Sequence, residues 1–155
     1  MREEVKTDHL LKDIRLDLIH NELRPVYEVF TQYESMSRKR GRKIDFDLIQ
    51  GGDNLGQALV TRILTPKGEL TSLGHPDYGS RVHEIVGSEN TETTRNLLKL
   101  FIIEAIQREP RVEEIIEVVV EPAIGLRDSV DISLSVKAVG YVDTITIGPF
   151  SFSIG

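Results

Sequence analysis

One boundary constrains this chain's fold more than any other feature. A long amphipathic stretch runs up to a proline, and beyond it the texture of the sequence changes. In NTETTRNLLKLFIIEAIQRE, residues Leu97, Leu98, Phe101, Ile102, Ala105 and Ile106 recur at helical spacing and form one broad apolar stripe. Pro110 is expected to end that helix, because proline has no amide to donate and drives the residue before it out of the helical region. After it β-branched residues dominate. IIEVVVEP, SVDISLSVKAV and DTITIGPFSFSIG read as three strands joined by AIGLRDS and GYVD, and Ile132, Leu134 and Val136 alternate with polar residues as in a strand with one buried face.

Upstream, DIRLDLIH and KIDFDLIQ show the same alternation, through Ile14, Leu16 and Leu18 and then Ile44, Phe46 and Leu48. Residues 21–42 between them hold Pro25 and a basic run and read as a long connection. GGDN is expected to turn the chain and cap a helix over about residues 54–64, with Asp53 or Asn54 accepting its free amides and Leu55, Ala58, Leu59 and Ile63 facing inward. TPKGELTSLGHPDYG, rich in glycine and proline, reads as a loop, and YGSRVHEIVG as a short helix closed by Gly87. Strands, then helices, then an antiparallel meander predict an α+β fold. The expectation is a single domain over residues 1–155, its antiparallel or mixed sheet packed against two or three helices, with N-terminal and C-terminal β arms.

Composition excludes several function classes. Without cysteine there is no disulfide, thiolate or cysteine-bound zinc. No apolar run approaches the roughly 18 residues of a membrane span, and the charged MREEVKTDHLLKDIRLDL lacks the apolar core of a signal peptide, so a cytoplasmic protein with no membrane partner is expected. The net charge is −6, yet Arg38 to Lys43 carries five positive charges, which leaves −11 on the remainder. Such an acidic body argues against nucleic acid. The basic run is a solvated loop or a hook for an acidic partner surface.

Catalytic motifs are weak. GGDNLG matches neither a dinucleotide fingerprint nor a P-loop, and Asp53 would set a negative charge where a phosphate should lie. The histidines at 9, 20, 75 and 83 form no metal-binding spacing, and Ser80 has no evident base. Neither a metal nor a cofactor is expected. Carboxylate pairs such as Glu84 with Glu89 or Glu109 with Glu113 are unavoidable in so acidic a chain, but a pair of this kind is what a glycoside hydrolase requires.

A more specific signal spans residues 44–121. Asn54-Leu55, Gln57-Ala58-Leu59, Arg62, Leu64-Thr65, Gly68-Glu69, Pro76 and Tyr78-Gly79-Ser80, followed by Glu109-Pro110-Arg111, occur in an order that resembles the phage baseplate wedge family, also called the sheath initiator family, of contractile tails and injection systems. Residues 1–43, with the N-terminal strand and basic loop, and the C-terminal strands over 122–155 lie outside the match. The resemblance implies a non-enzymatic baseplate component, in six copies, that binds wedge proteins, contacts inner tube or hub proteins, and initiates sheath assembly. It assigns wedge docking to Glu109, Pro110 and Arg111. It also makes the tail, with Phe150, Phe152 and Ile154, a candidate for strand pairing with sheath. Some members carry an old lysozyme label, so the alternative is a tail lysozyme using a carboxylate pair.

Overall fold

The computed structural model describes residues 10–20, 26–29, 31–34, 43–46 and 48–155, and between residues 17 and 48 it describes backbone alone. The fold is α+β. Strands β1 (Lys12–Ile14), β2 (Leu16–His20), β3 (Val26–Val29), β4 (Thr31–Glu34), β5 (Lys43–Phe46) and β6 (Leu48–Gln50) precede helix α1 (Gly51–Leu64). They form three antiparallel two-stranded ladders, β1 with β6, β2 with β3 and β4 with β5. The stretch expected to be a plain connection therefore contains β3 and β4. Their sequences, VYEV and TQYE, carry β-favouring valine, tyrosine and threonine, a local preference that the neighbouring Pro25 and basic run obscured. Apart from the backbone of Lys43, the basic run lies outside the described residues.

Helix α1 starts earlier than expected, and its cap is different. Gln50 is the N-cap, with no side-chain cap bond. Asp53 is an exposed acid in the first turn, where the helix dipole favours it. Asn54 is buried and spends its amide elsewhere, donating to the Leu10 carbonyl at 2.8 Å. Leu55, Leu59, Ile63 and Leu64 face the core, while Ala58 is only half-buried.

After the 65–81 loop and a 3-10 turn over Val82–Ile85, helix α2 (Glu92–Ile106) begins at Thr91, whose hydroxyl accepts from the Thr94 amide. Leu98, Phe101, Ile102, Ala105 and Ile106 are buried as the periodicity predicts; Leu97 is exposed. The helix ends at Ile106 with Gln107 as cap, so Pro110 fixes the turn after the helix and not its last residue. Strands β7 (Val112–Pro122), β8 (Ser129–Ala138) and β9 (Thr144–Ser153) then form an antiparallel meander in the order β7-β8-β9. Val130, Ile132, Leu134, Val136 and Ala138 of β8 meet both helices in one core, which Leu10, Phe152 and Ile154 complete. Burial on this scale is worth about 1.5–3 kcal/mol for each large apolar side chain.

Candidate docking site

Three of the motifs singled out by the family resemblance, Arg62, Tyr78-Gly79-Ser80 and Glu109-Pro110-Arg111, come together at one corner of the molecule. Glu109 occupies its centre. Only 5% exposed, its carboxylate accepts from Arg62 Nη2 at 3.0 Å on Oε2, and from Arg111 Nε at 2.6 Å on Oε1. Burial pushes this carboxyl up. The hydrogen bond and charge of Arg111, joined by those of Arg62, more than offset burial and hold Glu109 below the ordinary glutamate range. Spacing alone favours pairing of Glu109 with Arg111 inside their own chain, which the structure shows, whereas the resemblance turns both outward from the proline corner toward a partner. Instead Glu109 turns inward, because a carboxylate between two guanidiniums replaces its lost water with charge-assisted bonds. Pro110 itself is exposed, and Arg111 also donates from Nη1 to the Leu10 carbonyl at 3.4 Å.

Arg62 projects from the last turn of α1 to the Glu109 carboxylate and lies against one aromatic ring. Its guanidinium carbon lies 4.5 Å from the centroid of the Tyr78 ring, a cation–π contact. Burial raises the Tyr78 phenol above its ordinary range; Arg62 and Arg111 pull it down, and Glu109 pushes it up. The loop that carries Tyr78 is tied at its base. Lys67 donates to the Ser80 carbonyl and the Ser80 amide to the Thr65 carbonyl, both at 2.8 Å. The buried Ser80 hydroxyl donates to the Ile63 carbonyl and accepts from the Val82 amide. Between Tyr78 and Ser80 only glycine fits. Gly79 has φ +99°, and a Cβ there would lie 2.5 Å from the Thr65 carbonyl oxygen. The Tyr-Gly-Ser triplet thus has a physical meaning that spacing alone does not reveal: a lid for Arg62, a close backbone approach, and a buried hydroxyl that ties the loop's two ends.

Around this corner lies an exposed charge network that sequence reasoning missed. Glu104 pairs with Arg108 at 3.0 Å and Lys67 at 3.2 Å, with Arg81 at 4.0 Å. Arg81 also grips Glu84 with two bonds of 2.8 Å, which holds the Glu84 carboxyl low, and stands 4.5 Å over the Phe101 ring. The i, i+4 spacing of Glu104 and Arg108 was the one signal available.

The tail residues sit away from this corner. Phe152 and Ile154 are fully buried in this chain's own core and Phe150 is half-buried. Ile154 accepts from the Gly87 amide and donates to the Asp128 carbonyl at 2.8 Å. The second edge of β9 pairs with no strand among the described residues. A groove of about 440 Å³ runs beside β9, lined by Ile145 and Ile147 from the strand, Gly56 and Val60 from α1, and Leu16 and Ile49 from the N-terminal ladders. Among the described residues no helix is long and apolar enough to cross a membrane, and no group of three or more His, Asp or Glu is placed to hold a metal ion.

No family model matches the chain, and no curated protein matches it. Among solved structures it is similar to a protein of Geobacter sulfurreducens provisionally named a tail lysozyme, with 22% identity and a TM-score of 0.53. The match covers 66% of this chain and 90% of that one. At that identity the likeness shows a shared fold.

Proposed function

We propose that this chain is a structural component of the baseplate of a contractile tail or injection particle, binding wedge proteins and starting sheath assembly. The observation that carries the reading is the convergence of Arg62, Tyr78-Gly79-Ser80 and Glu109-Pro110-Arg111 on one rigid corner. Residues 47 positions apart in sequence, Arg62 and Glu109, are held there by a nearly dry ion pair. The fold shared with a protein provisionally named a tail lysozyme supports the tail half of the assignment. In this reading exposed Pro110 and the rims of Arg111 and Arg62 meet the wedge proteins. The free edge of β9 and the groove beside it take a strand from sheath by main-chain pairing. Six copies per particle follow from the symmetry of related machines.

The rival reading, a peptidoglycan-cleaving lysozyme, needs a carboxyl that stays protonated to act as general acid. Glu109 and Glu84, one from each candidate pair, are held in the ionised form by arginines. Reconstitution decides between the two. Purified chain mixed with wedge proteins and sheath is expected to nucleate six-fold sheath rings visible by electron microscopy. If a zymogram instead shows cell-wall clearing that one Glu or Asp substitution abolishes, the structural assignment is wrong.

A further inference from the structure

The buried corner is not electrically balanced. Arg62 and Arg111 share one carboxylate, Glu109, which leaves a surplus positive charge on groups only 11% and 19% exposed. Of the Arg62 guanidinium, Nη2 serves Glu109, and Nε is buried without a partner among the described residues. The Arg62 side chain also lines a pocket of about 600 Å³, with Gly74, His75, Pro76, Asp77, Tyr78 and Arg108. Arg108 reaches this pocket from the end of α2, where Glu104 and the Asp77 carbonyl orient it.

We propose that this pocket takes a single carboxylate side chain, an Asp or Glu on a segment of a partner protein, seated between Arg62 and Arg108. The surplus charge selects for an anion. Low exposure of Arg62 keeps water from neutralising its charge, and the N–H groups that Arg108 leaves over from Glu104 and the Asp77 carbonyl supply the second contact to a carboxylate. Polyanions fit poorly. Asp77, 86% exposed, stands at the lip, and Glu104 lies against Arg108, so a phosphate chain following the surface meets negative charge at once. A lone carboxylate sets one charge against them where a phosphate chain sets several. The volume admits a side chain with its flanking backbone. The proposal rests on the docking reading only in taking the ligand to be part of a protein.

The test uses the full chain, ¹⁵N-labelled, with arginine Nε–H resonances followed by NMR. The probe is a capped Gly-Gly-Glu-Gly-Gly peptide, with Gly-Gly-Gln-Gly-Gly as its neutral counterpart. Saturable shifts at Arg62 and Arg108 are expected with the glutamate peptide alone, weakening as salt rises. Arg108→Gln, at a solvent-accessible position, should weaken binding about tenfold, the order of one charge-assisted bond. His75→Trp, on the exposed loop, should abolish it by filling the pocket. Equal shifts with both peptides, shifts confined to other arginines, unchanged binding in His75→Trp, or shifts from inorganic phosphate alone would each overturn the proposal. The two readings fail separately. If wedge protein binds wild type and His75→Trp equally, the carboxylate site is wrong and docking stands. If the peptide binds and no wedge protein does, the reverse holds.

Discussion

Two arginine–carboxylate clusters stand five residues apart in this chain, built from the same residue types and set in different solvents. Glu104 sits on the surface of α2 with Lys67, Arg81 and Arg108, each member about a third exposed or more. Glu109 sits one turn beyond the helix with Arg62 and Arg111, under the Tyr78 ring and nearly dry. Water decides what each is worth. At the surface, solvent and salt screen the charges, and holding long side chains in one geometry consumes most of the gain. In the buried cluster the groups have already lost their water, so removing one member strands the others.

The largest effect is expected where the contrast is broken at its buried end. Glu109→Ala leaves two guanidiniums facing each other without a counter-charge and should cost about 3–5 kcal/mol in urea unfolding. Its pH dependence has a definite sign. The Glu109 carboxyl is lower in the folded state than unfolded, so its contribution is present above the ordinary glutamate range and is lost as pH falls through the depressed folded value. The stability gap between wild type and Glu109→Ala should therefore narrow in acid. A gap that stays constant from neutrality down through that range would show that Glu109 acts through packing and not through its charge.

Next in size is Gly79→Ala. A side chain at φ +99° strikes the Thr65 and Pro66 carbonyls and displaces the Tyr78 loop, at a cost of about 1–3 kcal/mol by thermal unfolding. Loss of the lid also wets the buried cluster, so added salt should weaken this variant more than wild type. The smallest effect is expected for Glu104→Gln, below about 1 kcal/mol and vanishing in high salt. If Glu104→Gln costs as much as Glu109→Ala, burial is not what separates the clusters.

Much of the fold was legible because it rests on periodicity. The apolar stripe of α2 and the alternation in β8 report directly which faces are buried, and the three C-terminal strands follow from β-branched composition. What escaped was set by partners distant in sequence. Asn54 looks like a helix cap until Leu10 arrives with a carbonyl 44 residues away. Spacing suggests that Glu109 pairs with Arg111 two residues on, but not that α1 delivers Arg62 as a second partner. Leu97 fits the stripe by spacing, but the stripe is wider than the surface it packs on. The site residues themselves were visible only through the family resemblance. Nothing in Gly79's neighbours announces that a carbonyl from Thr65 will pass 2.5 Å from where its Cβ would stand.

The Leu10 carbonyl carries one further consequence. It accepts both the Asn54 amide and the Arg111 guanidinium. Just beyond it, Gln57 clasps the strand on both sides, donating to the Ile14 carbonyl and accepting from the Leu16 amide, each at 2.8 Å. The N-terminal strands are thus tethered to the body through polar side chains, and one tether ends on a member of the buried cluster. The first strand and the proline corner therefore share an acceptor, so any displacement of the chain at Leu10 removes hydrogen bonds from Asn54 and Arg111 together.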